Sequence, residues 1–355
     1  MFKWVSLSVV SLFAYLLLWP VPVSPVAWQA PINSGYQNLF EANDALSKLE
    51  LLPAEVDGPE DIAIDKAGRL YISTFSGDIM RYTPDSQQLE TWVQTGGRPL
   101  GIEFDARDQL IVADAYRGLL SYSENGQLTV LTAQANEKVL RYVNDVDIAD
   151  NGIIYFSDSS TKFGAEESGG TYQASLLDIL EHGAHGRLLS YNPATKQTRV
   201  EVSGLNFANG VALSFDQQSV LVNETGSYRI QRYILEGERA GQLEMVIENL
   251  PGFPDNLSRG LDGKYWLGLV SPRSPALDLL SDYPTMRKVV RRLPEFIRPK
   301  ARRYAHVVAF DDQGDVVKNL QHAEGDYAFT TGVTETKEYL YISSLKEQKI
   351  ARLVQ

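Results

Sequence analysis

What most constrains this chain is a unit that returns along its length. From Gly58 onward the sequence reads as short strands of alternating residues, punctuated by Gly, Asn and Asp turns. Gly68-Arg69-Leu70-Tyr71-Ile72-Ser73 leads to Gly77-Asp78-Ile79-Met80-Arg81-Tyr82, and Gln109–Asp114 leads to Gly118–Tyr122. Gly152–Ser157, Ser219–Asn223 and Glu338–Ser343 open three further units of the same kind. Where no insertion intervenes the spacing is roughly 40–46 residues, the length of a four-stranded propeller blade. Blades begin near Gly58, Arg98, Asn144, Asn209, Asp255 and Thr331. The pattern predicts an all-β fold, a six-bladed β-propeller, and its repetition argues against a β-sandwich. Too few residues remain for four strands in the last blade, so Leu46–Leu52 is expected to supply the missing edge strand. Joining the two termini in one blade closes the ring and leaves no exposed edge.

A second regularity sits on the first. Oxygen-bearing side chains recur just ahead of a blade's first strand: Glu60-Asp61, Asn144-Asp145, Asn209 and Asp255-Asn256. Any one of these is ordinarily a turn residue satisfying backbone groups. Their return at one blade position points instead to a ring of oxygens aimed at a hard cation such as calcium, which takes six to eight such ligands. No Gly-Lys-Ser/Thr phosphate loop, HExxH or GxSxG elbow is present, which removes NTPase, zincin and serine-hydrolase chemistry. The four histidines (His182, His185, His306 and His322) lack metal-ligand spacing and read as structural or lid residues. The absence of cysteine removes disulfides and thiolate chemistry. A net charge of −12 argues against general nucleic-acid binding.

The N-terminus bears on location. Trp4 to Trp19 is almost wholly apolar and is followed by Pro20, Pro22 and Pro25. Sixteen helical residues reach ~24 Å, and the apolar Pro20–Trp28 tail is expected to cover the remainder of a ~30 Å hydrocarbon core. Trp4, Tyr15, Trp19 and Trp28 suit the interfaces. The expectation is a single-pass transmembrane signal anchor over residues 1–30, with Lys3 cytoplasmic and the propeller of residues 31–355 on the non-cytoplasmic side. A cleaved signal peptide is the rival, although Pro25-Val26-Ala27 is a poor cleavage site; a buried core helix is the third reading. Insertions interrupt the period at 159–185, with a helix expected over Ser175–Glu181, and at 272–304. Within the latter, residues 286–303 carry eight basic side chains against the single acid Glu295. Met286, Val289, Val290, Leu293, Phe296 and Ile297 keep helical spacing, with Pro294 dividing the element. This is either a basic amphipathic helix resting on an anionic membrane surface or a lid packed on the propeller. Asn223-Glu224-Thr225 is a glycosylation acceptor in a eukaryotic secretory setting.

From Gly58 to Leu353 the sequence resembles the strictosidine-synthase-like group of six-bladed propellers, and most closely its adipocyte plasma-membrane-associated branch. Gly186-Arg187-Leu188-Leu189-Ser190-Tyr191-Asn192-Pro193, Phe207-Ala208-Asn209-Gly210-Val211-Ala212-Leu213 and Leu250-Pro251-Gly252-Phe253-Pro254-Asp255-Asn256 carry the resemblance. More distantly it is similar to paraoxonases and gluconolactonases, calcium-dependent propeller esterases and lactonases. That similarity implies a catalytic calcium held by Glu60, Asn144, Asn209, Asp255 and Asn256. It further implies a second, structural calcium at Asp61, Asp145 and the carbonyl of Ile102. Two departures accompany it. Thr331 stands where strictosidine synthase places its catalytic glutamate, which removes amine–aldehyde condensation. Leu100 stands where paraoxonases carry a histidine. The expected activity is calcium-dependent hydrolysis of a small ester or lactone (an arylesterase or lactonase), with Asp255 as ligand and base together. The alternatives are a binding propeller that keeps the metal for stability and, last, a strictosidine-synthase-type lyase.

Overall fold

The computed structural model describes residues 2–355, with side chains described at Ser8 and from Val10 onward. Six four-stranded antiparallel sheets form the body, each running outward in chain order from its innermost strand except the last. The innermost strands are Asp61–Ile64, Pro99–Phe104, Val143–Ile148, Ala208–Leu213, Gly252–Arg259 and Thr330–Glu335. In the last blade the outermost strand is Glu50–Glu55, which pairs antiparallel with Lys349–Val354. The ring therefore closes by the expected route, but the closing strand lies a few residues beyond Leu46–Leu52. Ala45–Lys48 instead forms a 3-10 turn that buries Leu46.

Adjacent blades are held face to face by apolar layers. Leu221 and Ile230 of blade four pack with Leu257, Leu267 and Val308 of blade five. Trp266 of blade five is buried with Val333 and Ile342 of blade six, and its indole N–H donates to Glu335 Oε2 at 2.9 Å. These layers follow from the sequence, since both faces of a middle strand meet neighbouring blades and Leu110–Asp114 and Ile154–Asp158 are buried throughout.

Among the described residues, four α-helices lie outside the sheets. Helix α1 (Phe2–Leu18) precedes the propeller, and α2 (Thr171–Glu181) belongs to the blade-three insertion. Helices α3 (Pro275–Leu279) and α4 (Pro284–Arg292) belong to the blade-five insertion. α2 starts a turn before the expected Ser175, directly after Gly169-Gly170, whose φ values of +87° and +117° hold the chain out of the helical region. The basic element divides as expected before Pro294, and Glu295–Ile297 forms a 3-10 turn. Its packing inverts the amphipathic reading. Arg287 and Arg292 are buried, whereas Met286 and Phe296 are exposed. Arg287 donates to Leu180 O at 2.9 Å, Ser281 O at 3.0 Å and Val26 O, so one guanidinium ties α2, the α3–α4 corner and the N-terminal tail. α4 is thus part of a lid packed on the propeller.

The N-terminal segment departs from the expected anchor. α1 has 17 residues, a reach of about 26 Å, and among the described residues no helix is long and apolar enough to cross a membrane. The following tail does not extend it. Ser24 N–H donates to Glu181 Oε2 at 2.6 Å, Val26 N–H to Glu181 O at 2.9 Å and Trp28 N–H to Ser281 O at 3.1 Å. Trp28 stacks on His182 with ring centroids 3.9 Å apart, inside the protein's own surface. Tyr15 and Trp19 instead meet α4, through Tyr15 Oη to Arg292 O at 3.1 Å and Arg292 Nε to Trp19 O at 2.6 Å. The Lys3 and Trp4 side chains lie outside the described ones.

Candidate metal centre

Except for Glu60-Asp61, whose blade pairs in regular register, the oxygen-bearing residues sit where the innermost strands break register. Pairing with the second strand shifts between Pro99 and Ile102, Val143 and Val146, Ala208 and Val211, Pro254 and Leu257, and Thr330 and Val333. Each irregularity leaves two residues opposite fewer partners, so their side chains leave the strict alternation of the strand. The two residues inside each shift are Leu100-Gly101, Asn144-Asp145, Asn209-Gly210, Asp255-Asn256 and Thr331-Gly332. Glycine at the second position lets neighbouring strands approach. A Cβ on Gly101 would lie 2.3 Å from Asp145 Oδ1, and one on Gly210 would lie 2.5 Å from Asp255 O.

Glu60, Asn144, Asn209 and Asp255, from four blades, line one cavity of about 110 Å³ beneath the lid. All four side chains are buried. Asn209 Nδ2 donates to Asp255 Oδ1 at 2.6 Å, and Asn144 Nδ2 donates to Ser159 Oγ at 2.8 Å. Asn256, one residue along, donates from Nδ2 to Glu60 O at 3.0 Å. With their amide nitrogens so engaged, the carbonyl oxygens Asn209 Oδ1 and Asn256 Oδ1 are buried without a hydrogen-bond partner. Burial lifts the Glu60 and Asp255 carboxyls above the ordinary range, and the Glu60 charge raises Asp255 further. Unpaired buried carbonyls and two uncomfortable carboxylates in one place are the electrostatic complement of a cation. The donor set of two carboxylates and amide oxygens fits calcium. It is not a His/Cys/Asp/Glu cluster, and among the described residues no group of three such side chains stands as a metal site.

Several contributors were not singled out from sequence. Arg98 is buried, donates from Nη2 to Glu60 Oε2 at 3.2 Å and from Nη1 to Pro99 O at 3.0 Å. Its signal was a lone cation inside Gly96-Gly97-Arg98-Pro99, a run otherwise built for a tight turn. Tyr142 lines the same cavity, and burial beside Glu60 and Asp255 raises its phenol well above the usual value. Thr225 Oγ1 donates to Pro254 O at 2.6 Å, and Asn223 Nδ2 donates to Asp255 O, fixing the bulge that carries Asp255. Asn223 is fully buried, so the glycosylation reading of Asn223-Glu224-Thr225 does not apply to the folded chain. Leu100 adds an apolar wall to the cavity. Thr331 Oγ1 is spent on Glu60 O at 2.6 Å.

Toward the other end of the innermost strands, Asp61, Ile102 and Asp145 line a separate chamber. Asp61 accepts the N–H groups of Ile62 and Ile102 at 2.8 and 2.9 Å, and Asp145 accepts those of Val146 and Val211, both at 2.8 Å. It is thus the amide of Ile102 that meets Asp61, and the two carboxylates stitch neighbouring blades together. None of the four histidines lies at either chamber. His306 Nε2 pairs with Asn319 Oδ1 at 2.9 Å, and His185 Nε2 with Glu181 Oε1 at 2.8 Å.

Blade number, ring closure and an oxygen-lined channel define the class: a six-bladed propeller with a buried polar centre under a helical lid. Strictosidine synthase is the family whose model matches residues 144–238, and that of the strictosidine synthase-like N-terminal region matches residues 39–82. The strictosidine synthase-like 6 protein of Arabidopsis thaliana is 37% identical, covering 84% of this chain and 79% of that protein. The adipocyte plasma membrane-associated protein of Rattus norvegicus is 31% identical over 98% of this chain and 97% of its own. The chain belongs to the strictosidine synthase-like family. Among solved structures, a gluconolactonase from Xanthomonas campestris superposes with a TM-score of 0.64 at 18% identity, covering 95% of this chain and 99% of its own. The calcium-binding protein regucalcin of Agrobacterium tumefaciens gives a TM-score of 0.60 at 13% identity, covering 85% and 92%. At such identities these two show the fold.

Proposed function

We propose that this chain is a divalent-cation-dependent hydrolase of esters or lactones. The observation that carries the reading is that Glu60, Asn144, Asn209 and Asp255, scattered along the sequence, line one buried cavity in which Asn209 Oδ1 lacks a hydrogen-bond partner, as does the buried Asn256 Oδ1 beside Asp255. Glu60, Asn144, Asn209, Asp255 and Asn256 would hold a calcium ion, which supplies charge to polarise a carbonyl. A gluconolactonase and a calcium-binding protein among the solved structures of like fold support the reading. A second, structural ion at Asp61, Asp145 and the Ile102 carbonyl belongs to the same proposal. It has less support, since backbone amides already engage both carboxylates.

The chain's own residues take up the chemistry from there. Water adds to the acyl carbon, its proton passes to a base, and the C–O bond to the alcohol breaks with the proton returned to the leaving oxygen. Asp255 is the base. Burial and the Glu60 charge raise its proton affinity, the direction that general-base work requires. Asn209 Nδ2 keeps one oxygen of that carboxylate oriented. Leu100, Phe207 and Phe253 line the cavity with apolar surface and the lid closes it, which limits bulk water. Asp255 serves ligand and base together, so a modest rate is expected.

A binding propeller with a structural ion is the second reading, favoured by one contact: Arg98 already pairs with Glu60, which lowers the charge offered to a cation. A lyase finds no support, because the Thr331 hydroxyl is engaged by Glu60 O. Membrane contact is also part of the proposal, now as a surface one. Leu12, Phe13, Leu17 and Trp19 of the N-terminal segment are exposed, as are Met286 and Phe296 beside α4, the composition of an interfacial anchor.

Turnover of phenyl acetate and a lactone panel, with calcium and with chelator, tests the leading reading. Chelation is expected to abolish turnover reversibly, and Asp255→Asn to lower kcat by about 10²–10⁴, the range for a general base. An inactive protein whose melting temperature still falls on chelation points to the structural ion and a binding role.

A further inference from the structure

The cavity of the candidate metal centre does not end at the lid. Tyr172, Leu176, Ile179 and Leu277 line both it and a second chamber of about 370 Å³ that lies under α2 and α4. The passage between them runs past Pro299, Lys300 and Ala301. The inner cavity is walled mainly by apolar side chains, whereas the outer chamber gathers Arg291, Arg298, Lys300 and Lys346 against the one carboxylate Glu295. In a chain of net charge −12, four cations converging on one space is a reversal of the molecule's balance.

The protein supplies no carboxylate partner to these cations, although Arg298 Nε donates to Leu293 O at 2.7 Å. Among the described residues none of the four forms an ion pair, although Arg303 nearby does, with Glu347 at 2.8 Å. Arg291 Nε is buried without a hydrogen-bond partner. Lys346 Nζ rests over the rings of Tyr172 and Phe329 at 4.4 and 4.7 Å, a contact that orders the side chain while leaving its charge unneutralised. Burial and the Lys300 charge pull the Lys346 ammonium below its usual value, and burial and Arg298 do the same to Arg291. Like charges gathered in one space, with a donor left open, are the electrostatic complement of an anion.

The geometry points to a substrate that is an amphiphilic anion: an acyl chain lying in the apolar cavity, its ester or lactone carbonyl toward Asp255, and a distal carboxylate or phosphate among Arg291, Arg298, Lys300 and Lys346. This rests on the hydrolase reading for its reacting end and on the cation cluster alone for its charged end. The two ends are therefore tested separately.

Para-nitrophenyl octanoate and the mono-para-nitrophenyl ester of suberic acid share a chain and differ in one terminal carboxylate. The full chain is expected to prefer the suberate by about tenfold in kcat/KM at low salt, the size of one or two screened charge contacts. The preference should fall with ionic strength. Arg291→Gln with Lys346→Gln should remove the preference while leaving octanoate hydrolysis in place, and Lys346→Arg should keep it. Equal rates for the two esters, or a preference that survives the double substitution, overturns the inference and leaves the hydrolase reading standing. Should neither ester turn over, calorimetric binding of dodecanoate against dodecanol to the chelated protein decides. Tighter dodecanoate binding that the double substitution removes upholds the charged chamber without the enzyme, and equal or absent binding overturns it.

Discussion

At the scale of single residues, the decisive feature is how few polar atoms at the channel are free. Asp255, Asn144 and Asn209 each engage the protein through one atom and keep another for the cavity, so their orientation is fixed before any ligand arrives. Arg98 is the residue on which the two functional readings divide. Arg98→Met leaves the buried Glu60 carboxylate without its cation, which costs about 3–5 kcal/mol when one member of a buried pair is removed. The same change removes a positive charge from the metal centre. The variant in chelator is therefore expected to melt well below the wild type, and calcium to raise its melting temperature more than it raises the wild type's. Equal calcium shifts would mean that no ion shares Glu60 with Arg98. His306 gives a pH effect that is independent of the channel. Burial depresses its pKa from 6.5 to about 3, so from pH 6.5 down to about 3 the unfolded chain binds a proton that the folded chain refuses. Its contribution to stability is complete at neutral pH and lost through that window on acidification, by about 2 kcal/mol at roughly pH 5. Denaturant titrations of His306→Gln should show a flatter acid limb than the wild type, and parallel limbs would contradict the assignment.

Elements decide access. Strand register explains why the blade-initial residues matter: the breaks at Asn144-Asp145, Asn209-Gly210 and Asp255-Asn256 bring Asn144, Asn209 and Asp255 to the cavity, while the Asp145 and Asn256 side chains bind neighbouring strands. The lid depends on two buried guanidiniums. Arg273 reaches Asn249 Oδ1 and Pro31 O, both at 2.6 Å, and Arg287 holds Leu180, Ser281 and Val26. Arg287→Met strands several buried carbonyls, each worth about 1–3 kcal/mol when unpaired, but it leaves the propeller sheets intact. Hydrogen exchange should quicken in α2, α4 and residues 20–32 while the strand amides stay protected. Acceleration spread over all six blades would show that the lid is not a separable unit.

For the whole molecule, closure is the main stabilising device. A single strand, Glu50–Glu55, joins the beginning of the propeller to its end, so every sheet face has a neighbour. Deleting residues 1–19 leaves this strand and the tail that ties the lid, and it is expected to shift the melting temperature little. Deleting residues 1–56 removes the closing strand and exposes the edge Lys349–Val354, and it should give a protein that aggregates or unfolds in more than one step. Cooperative unfolding of the longer deletion would contradict that role.

The repeat was legible because a blade is a local object: strand alternation and Gly/Asn turns write its period into neighbouring residues. That Glu60, Asn144, Asn209 and Asp255 line one cavity was legible for the same reason, each standing at one phase of that period. The sequence by itself therefore determined the ring, its count of blades and the positions that face its axis. What only the tertiary structure decided are contacts between distant segments. Arg98 on Glu60, Arg287 under the N-terminal tail and Ile102's amide on Asp61 have no periodic signature. The apolar stripe around α4 misled because helical spacing records which residues share a face and not which face meets the protein. The lid and the N-terminal tail offered carbonyls of Leu180, Ser281 and Val26, and a buried guanidinium satisfies those where a methionine cannot.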